Sequence, residues 1–187
     1  MVESIFLKNH FLIAMPTLAD PNFFHTVTYI CEHNDQGAMG IVINQPVDLT
    51  LADVIEHLGL PYREGEHLQQ IIYRGGPVET ERGFVLHNPI GHWDSSLAIT
   101  ETMALSTSND IVEAMAQGNG PSQCLVALGY AGWGAGQLEQ EIAENSWLSA
   151  PASESVIFDT VAEKRWEAAA ALMGIDIKQL TGAFGHA

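Results

Sequence analysis

Basic residues are scarce in this chain. Seven lysines and arginines stand against 23 acidic residues in 187, a formal net charge of −16. Affinity for nucleic acid rests mainly on Lys and Arg neutralising phosphates. Seven cations scattered along the chain cannot easily build a basic stripe, so direct nucleic-acid binding is not expected. The same field repels anionic membrane surfaces, and it favours solubility and basic or cationic partners. Cysteine is nearly absent. Cys31 and Cys124 each sit in an apolar stretch, which excludes a disulfide framework and is the setting of buried free thiols. Long hydrophobic runs are missing too. None approaches the roughly 20 residues of a membrane span, and the run Phe11 to Met15, with Glu3 ahead of it, is too short for a signal peptide. The expected location is the cytoplasm, with no membrane partner.

Catalytic signatures are also lacking. There is no Gly-x-Ser-x-Gly, no His-Glu-x-x-His and no Cys-x-x-Cys, and the glycine spacings match neither a dinucleotide fingerprint nor a P-loop. No catalytic residue, no metal ligand set and no cofactor is therefore assigned. Eight histidines invite a metal reading. In an unbroken strand Cys31 and His33 share a face, but a metal site needs three or four converging ligands.

What is present is enough for a core. Hydrophobic residues make up 47% of the chain and charged residues 16%, which excludes disorder. The length suits one domain, 1–187, with a possible small lobe around 48–70. Phe11 to Met15, Thr26 to Glu32 and Ala38 to Asn44 read as strands, the last two joined by the turn Asn34-Asp35-Gln36-Gly37. Thr50 and Asp53 form a weak capping box for a helix Leu51 to Leu58, stopped by Gly59. Pro61 to Gln70 reads as an exposed loop. Gln70 to Tyr73, Gly83 to His87 and Leu97 to Thr100 read as strands. A helix follows over Asp110 to Gln117, capped by Thr107 or Ser108. Ser122 to Tyr130 is a nearly continuous apolar run, as in a strand buried on both faces. A helix then runs to about Asn145, Trp147 to Ala150 is a short strand, and Thr160 with Glu163 opens a helix Val161 to Met173. Asp176 caps a short final turn, and Gly182 to Ala187 are expected to fray. The uneven spacing of helices argues for α+β over a doubly wound sheet.

Two glycine clusters stand out. Gly129 to Gly136 lies between the buried strand and a helix. It includes Gly132, Trp133, Gly134 and Gly136 and leads into Gln137. It could cradle a phosphate at the helix start, although Glu139, Glu141 and Glu144 follow. The alternative is a tight strand-to-helix turn with Trp133 packed beneath it. Arg74-Gly75-Gly76-Pro77-Val78 is the other cluster. Arg74 could hold a carboxylate or phosphate bidentately, or it could pair with Glu79 or Glu81 across a structural turn.

Several ordered segments carry a family resemblance. They are Phe11-Leu-Ile-Ala-Met-Pro with Asp20-Pro21 and Phe23-Phe24, then His33 before Gly37-Ala-Met-Gly40-Ile-Val-Ile-Asn44-Gln-Pro46. Arg74-Gly-Gly-Pro77-Val and Leu86-His87 come next, followed by Gly129 to Glu141 and Asn145-Ser-Trp147. Together they resemble the AlgH/YqgE family of bacterial proteins over nearly the whole chain. The resemblance implies an α+β fold whose branched, mainly antiparallel sheet curls into a pseudo-barrel with helices outside. The family name carries a suggestion of a role in gene regulation, and no catalytic residue can be carried over.

The functional expectation is a non-catalytic binding or regulatory module, monomeric, acting through an unidentified protein or small-molecule ligand. Its tentative cleft gathers His33, Arg74, Gly75, Gly76, His87, Gly132, Trp133, Gly134, Gly136 and Gln137. The rival is an enzyme or binder acting on a small phosphorylated or nucleotide-like ligand at the 129–137 turn.

Overall fold

Apolar strands that must bury one or both faces dominate a computed structural model of the chain, which describes residues 5–184. Among the described residues, ten strands and five helices alternate irregularly. They are β1 (His10–Ala14), β2 (Val27–Asn34), β3 (Gly37–Val42), β4 (Pro46–Thr50), α1 (Leu51–Leu58), β5 (Ile71–Arg74), β6 (Val78–Asn88), β7 (Ser96–Ala98), β8 (Ala104–Ser106), α2 (Asn109–Ala116), β9 (Gln123–Gly134), α3 (Gln137–Ala143), β10 (Trp147–Pro151), α4 (Ala162–Ala171) and α5 (Ile177–Phe184). The sheet runs β10-β1-β2-β3-β9-β6-β8-β7, and β5 branches from β9 and carries β4. All pairings are antiparallel except β5 with β9. The fold is α+β, with the sheet curled into a half-barrel.

The branch explains the curl. One edge of β9 takes β5 along Val126 to Leu128 and then β3 along Ala131 to Gly134. Glycine marks the changeover: Gly129 has φ +78°, a left-handed conformation that other residues avoid. Three apolar clusters fill the layers. The largest lies inside the curl, built on Phe11, Tyr29, Ile41, Leu86 and Leu125 and closed by Trp166 and Ile177. A second packs α1 and α2 onto Ile72, Val85 and Val126. A third lies under α3, around Leu12, Ile30, Trp133 and Trp147.

Several sequence expectations change here. The glycine-rich stretch is mostly strand: β9 continues through Gly134 because β3 and Val78 supply its hydrogen-bonding partners. The Pro61 to Gln70 loop contains a 3-10 turn, Glu66–Gln69, with Leu68 buried in the second core. Strands β4 and β8 were not legible, one because it opens on Pro46 and the other because it has only three residues. The Thr160–Glu163 capping box does not form. The Thr160 hydroxyl donates back to the Ser155 carbonyl at 3.0 Å, across a π-helical turn, Ser155–Asp159, and Val161 is the N-cap. The expected fraying at 182–184 is instead the end of α5, and residues 185–187 lie outside the described residues.

Candidate functional site

His33, Ala38 and Trp133 stand side by side on β2, β3 and β9 beneath α3. The strands come this close at Gly37, where a Cβ would lie 2.3 Å from the Trp133 carbonyl oxygen. His33 is buried, and its Nδ1 accepts the Leu7 N–H at 2.8 Å. The ring proton therefore sits on Nε2 and is donated to Glu139. Next along α3, Glu141 accepts three side-chain N–H groups: Trp133 at 3.1 Å, Trp147 at 3.0 Å and Gln137 at 3.0 Å. Gln137 in turn takes the Gly134 N–H at 3.0 Å. The space where an anion would approach the strand-to-helix turn thus holds a glutamine amide and two carboxylates. Trp133 packs beneath the turn, as the structural alternative for this segment required.

Arg74 does not pair with Glu79 or Glu81. Its Nη2 donates to Asn22 Oδ1 at 2.9 Å and its Nη1 to Gln45 Oε1 at 3.5 Å, while Glu79 meets Arg82 at 3.4 Å. The register sets Arg74 opposite Leu128, which sends the chain straight into β9. A Cβ at Gly75 would lie 2.3 Å from the Gly129 carbonyl oxygen, and one at Gly76 would lie 2.1 Å from the Tyr130 carbonyl carbon. Gly75 and Gly76 thus meet the start of the other glycine cluster, Gly129 and Tyr130, in a close backbone-on-backbone crossing with no room for a ligand between the strands, while Gly132, Gly134 and Gly136 lie beyond it.

His87 is fully buried at the other end of β9, opposite Cys124. Trp133 is nine residues further along that strand, roughly 30 Å at a rise of about 3.3 Å per residue. Nδ1–H donates to the Pro89 carbonyl at 2.9 Å, so Nε2 accepts the Ser106 hydroxyl at 2.7 Å. Desolvation holds the imidazole pKa below its ordinary 6.5, against a smaller upward pull from the Pro89 bond. The structure thus groups His33, Gly132, Trp133, Gly134, Gly136 and Gln137, sets Arg74, Gly75 and Gly76 at the crossing, and leaves His87 apart. They do not line one cleft.

The cysteines offer no nucleophile. A β-bulge between Ile30 and Glu32 breaks the alternation of β2. Cys31 therefore enters the central core while His33 turns toward α3, on the opposite face. Burial pushes the Cys31 thiol pKa well up, and burial likewise raises that of Cys124. No group of three or more His, Cys, Asp or Glu residues able to hold a metal ion occurs among the described residues.

Sequence reasoning missed a cavity. A space of about 330 Å³ opens between the start of β5, the start of β9, the π-helical turn and α4. Its walls include Gln70, Ile71, Tyr73, Leu125 and Phe158, and Arg165 lies among them. Arg165 is 5% exposed. Its Nε donates to the Thr160 carbonyl at 2.9 Å, its Nη1 to the Ile43 carbonyl, and its guanidinium lies 5.0 Å over the Tyr73 ring. No carboxylate of the described residues comes within ion-pair distance of it. The available signal was an arginine inside the apolar stripe of α4, between Ala162 and Trp166, in a chain with few cations to place.

These features define a class: an α+β protein with a branched, half-barrel sheet, a closed helix-capped end and, toward the other end, a cavity lined by a buried cation. Comparison with known proteins agrees on the fold. The AlgH-like family model (DUF179) matches residues 11–178. A UPF0301 protein of Thioalkalivibrio sulfidiphilus is 57% identical over the full length of both chains. The solution structure of the AlgH protein from Pseudomonas aeruginosa superposes with a TM-score of 0.80 at 52% identity, covering all of both chains. A crystal structure from Corynebacterium diphtheriae shares the fold at 19% identity, with a TM-score of 0.75 over 97% of this chain and 94% of that one. The chain belongs to the AlgH-like family. No helix among the described residues is long and apolar enough to cross a membrane.

Proposed function

We propose that this chain is a non-catalytic binding or regulatory module, acting through a small ligand or a protein partner. One observation carries the reading: the two buried histidines and both thiols are engaged inside the fold, while a cavity of about 330 Å³ stays open. His33 is held between Leu7 and Glu139, His87 between Pro89 and Ser106, and both thiols are kept protonated by burial. A general base or nucleophile needs a free lone pair within reach of substrate, and these four groups do not offer one.

The same reading leaves nucleic acid aside. Of the seven basic side chains, Arg165 is internal, Arg74 is engaged by Asn22 and Gln45, and Arg82 and Lys178 face Glu79 and Glu167. The phosphate-cradling alternative at 129–137 has no observation in its favour, since Gln137 and Glu141 occupy that approach.

Ligand capture from a metabolite extract, followed by mass spectrometry, tests the proposal. A captured molecule recovered unchanged and raising the melting temperature supports it. Turnover of that molecule into a product overturns it. So would a gel shift on DNA or RNA that persists with a steep salt dependence.

A further inference from the structure

We propose that the Arg165 cavity is a binding site for a small amphiphilic monocarboxylate. This rests on reading the chain as a binding module, and adds the place and the chemical class of ligand.

The first argument is the unmatched cation. Burying a guanidinium without a counter-ion is costly unless its donors are met. A guanidinium carries five N–H donors, and only two are used, on the Thr160 and Ile43 carbonyls. Nη2 has no hydrogen-bond partner among the described residues, and it is not among the fully buried unsatisfied atoms. It is therefore not sealed off, and Arg165 is one of the residues that line the cavity. Tyr73 fixes the plane of the fork from below. With one Nη1 donor and both Nη2 donors unused, the guanidinium retains the kind of donors that receive a carboxylate.

The second argument is the company Arg165 keeps. Leu125, Ile157, Phe158 and Ile71 form apolar wall, and Gln70 adds an amide already anchored on the Cys124 carbonyl at 2.8 Å. Ile71 is 49% exposed although apolar, as fits a residue at the mouth. The volume of about 330 Å³ lies at the small end of ligand pockets, which span roughly 300–1,000 Å³. An anionic head against Arg165 and an apolar body along Ile157 and Phe158 match this lining.

The third argument is charge. A molecule at −16 repels anions in proportion to their charge. A single carboxylate suffers least, while a polyphosphate meets the full field with one guanidinium to offset it. That selects a monoanion over a nucleotide.

Titration of the full-length chain, followed by amide and arginine side-chain NMR shifts, tests the site. The probes are hexanoate and phenylacetate, their neutral amides hexanamide and phenylacetamide, and succinate and inorganic phosphate. The carboxylates should shift the Arg165 Nε–H signal together with Ile71, Leu125 and Phe158, and should bind about tenfold or more tightly than the matched amides. Ile71→Glu places a like charge at the exposed mouth and should weaken the carboxylates by about tenfold while leaving the fold intact. Arg165→Lys keeps the charge and loses the fork, so carboxylate affinity should fall toward that of the amide. Equal binding of amide and carboxylate in the cavity would overturn the anion site and leave the binding-module reading standing, as would carboxylate shifts confined to another surface. Tighter binding of phosphate or succinate than of hexanoate would overturn the choice of a monoanion. The absence of any shift with every probe would overturn the site, and the capture experiment on the wild-type chain then decides the broader reading separately.

Discussion

The two ends of β9 make opposite use of polar chemistry. At the α3 end, the polar side chains between strand and helix have partners from the protein itself. Glu141 takes three N–H groups and His33 uses both ring nitrogens. At the α4 end, Arg165 is as deeply buried as His33 but has two carbonyls and a ring face where it has room for more. The α3 end was the richer one to read in sequence, with its glycines, tryptophan and histidine, and it is structurally complete. The α4 end had a single arginine to announce it. Polar groups that satisfy each other rigidify a fold, whereas the partly unmet charge of Arg165 is where the carboxylate site is proposed.

The sharpest way to break the contrast is at the strand crossing that joins the two ends. Gly76→Val would drive a side chain into the Tyr130 backbone, and should cost about 4 kcal/mol or abolish soluble expression, read by urea denaturation. Gly134→Ala, in the same sequence cluster, has no atom nearer than 3.9 Å to its Cβ and should cost no more than roughly 1 kcal/mol. Similar losses at both positions would argue against the crossing.

Glu141→Leu should come next. It leaves the buried indole N–H groups of Trp133 and Trp147 without their acceptor and should cost about 2–4 kcal/mol. Glu141→Gln keeps an acceptor oxygen and should recover much of that loss, with near-ultraviolet circular dichroism reporting the two tryptophans.

A smaller effect is expected at His87. His87→Gln should cost about 1–2 kcal/mol through the Ser106 contact. Its pH dependence is the more specific readout. The folded imidazole has a depressed pKa, so the unfolded chain binds this proton more readily. Its contribution is complete above the unfolded value of about 6.5 and is lost as pH falls from there through the folded pKa. Denaturation midpoints between pH 7 and pH 5 should therefore drop less steeply in His87→Gln than in the wild type. His25, lowered by desolvation as well, keeps its share of the slope in both. The smallest effect belongs to Arg82→Ala, whose pairing with Glu79 is half in solvent and should be within roughly 0.5 kcal/mol of neutral.

Much of the fold was legible because its elements obey local rules. The hairpin of β2 and β3 follows from β-branched runs around Asn34 to Gly37, and α1 carries the expected capping box, with the Thr50 N–H donating to Asp53 at 2.8 Å. The candidate site was much less legible. Arg74 seemed to need an acidic partner near it in sequence, and found amides from Asn22 and Gln45 instead. Cys31 and His33 seemed to share a face until one bulged residue reversed the alternation. The glycine cluster looked like a turn because glycine is usually punctuation, whereas here Gly129 lets β9 pass the Gly75-Gly76 segment at close range, and Gly37 does the same for β3.

The amino-acid order by itself settled the charge, the abundance of strand, the positions of most helices and the absence of motif chemistry, since each depends on neighbours within a few residues. Tertiary structure alone decided which buried polar groups meet a partner. That depends on segments such as those of Ile43 and Arg165, brought together from 122 residues apart, and periodicity along a chain carries no record of such distances.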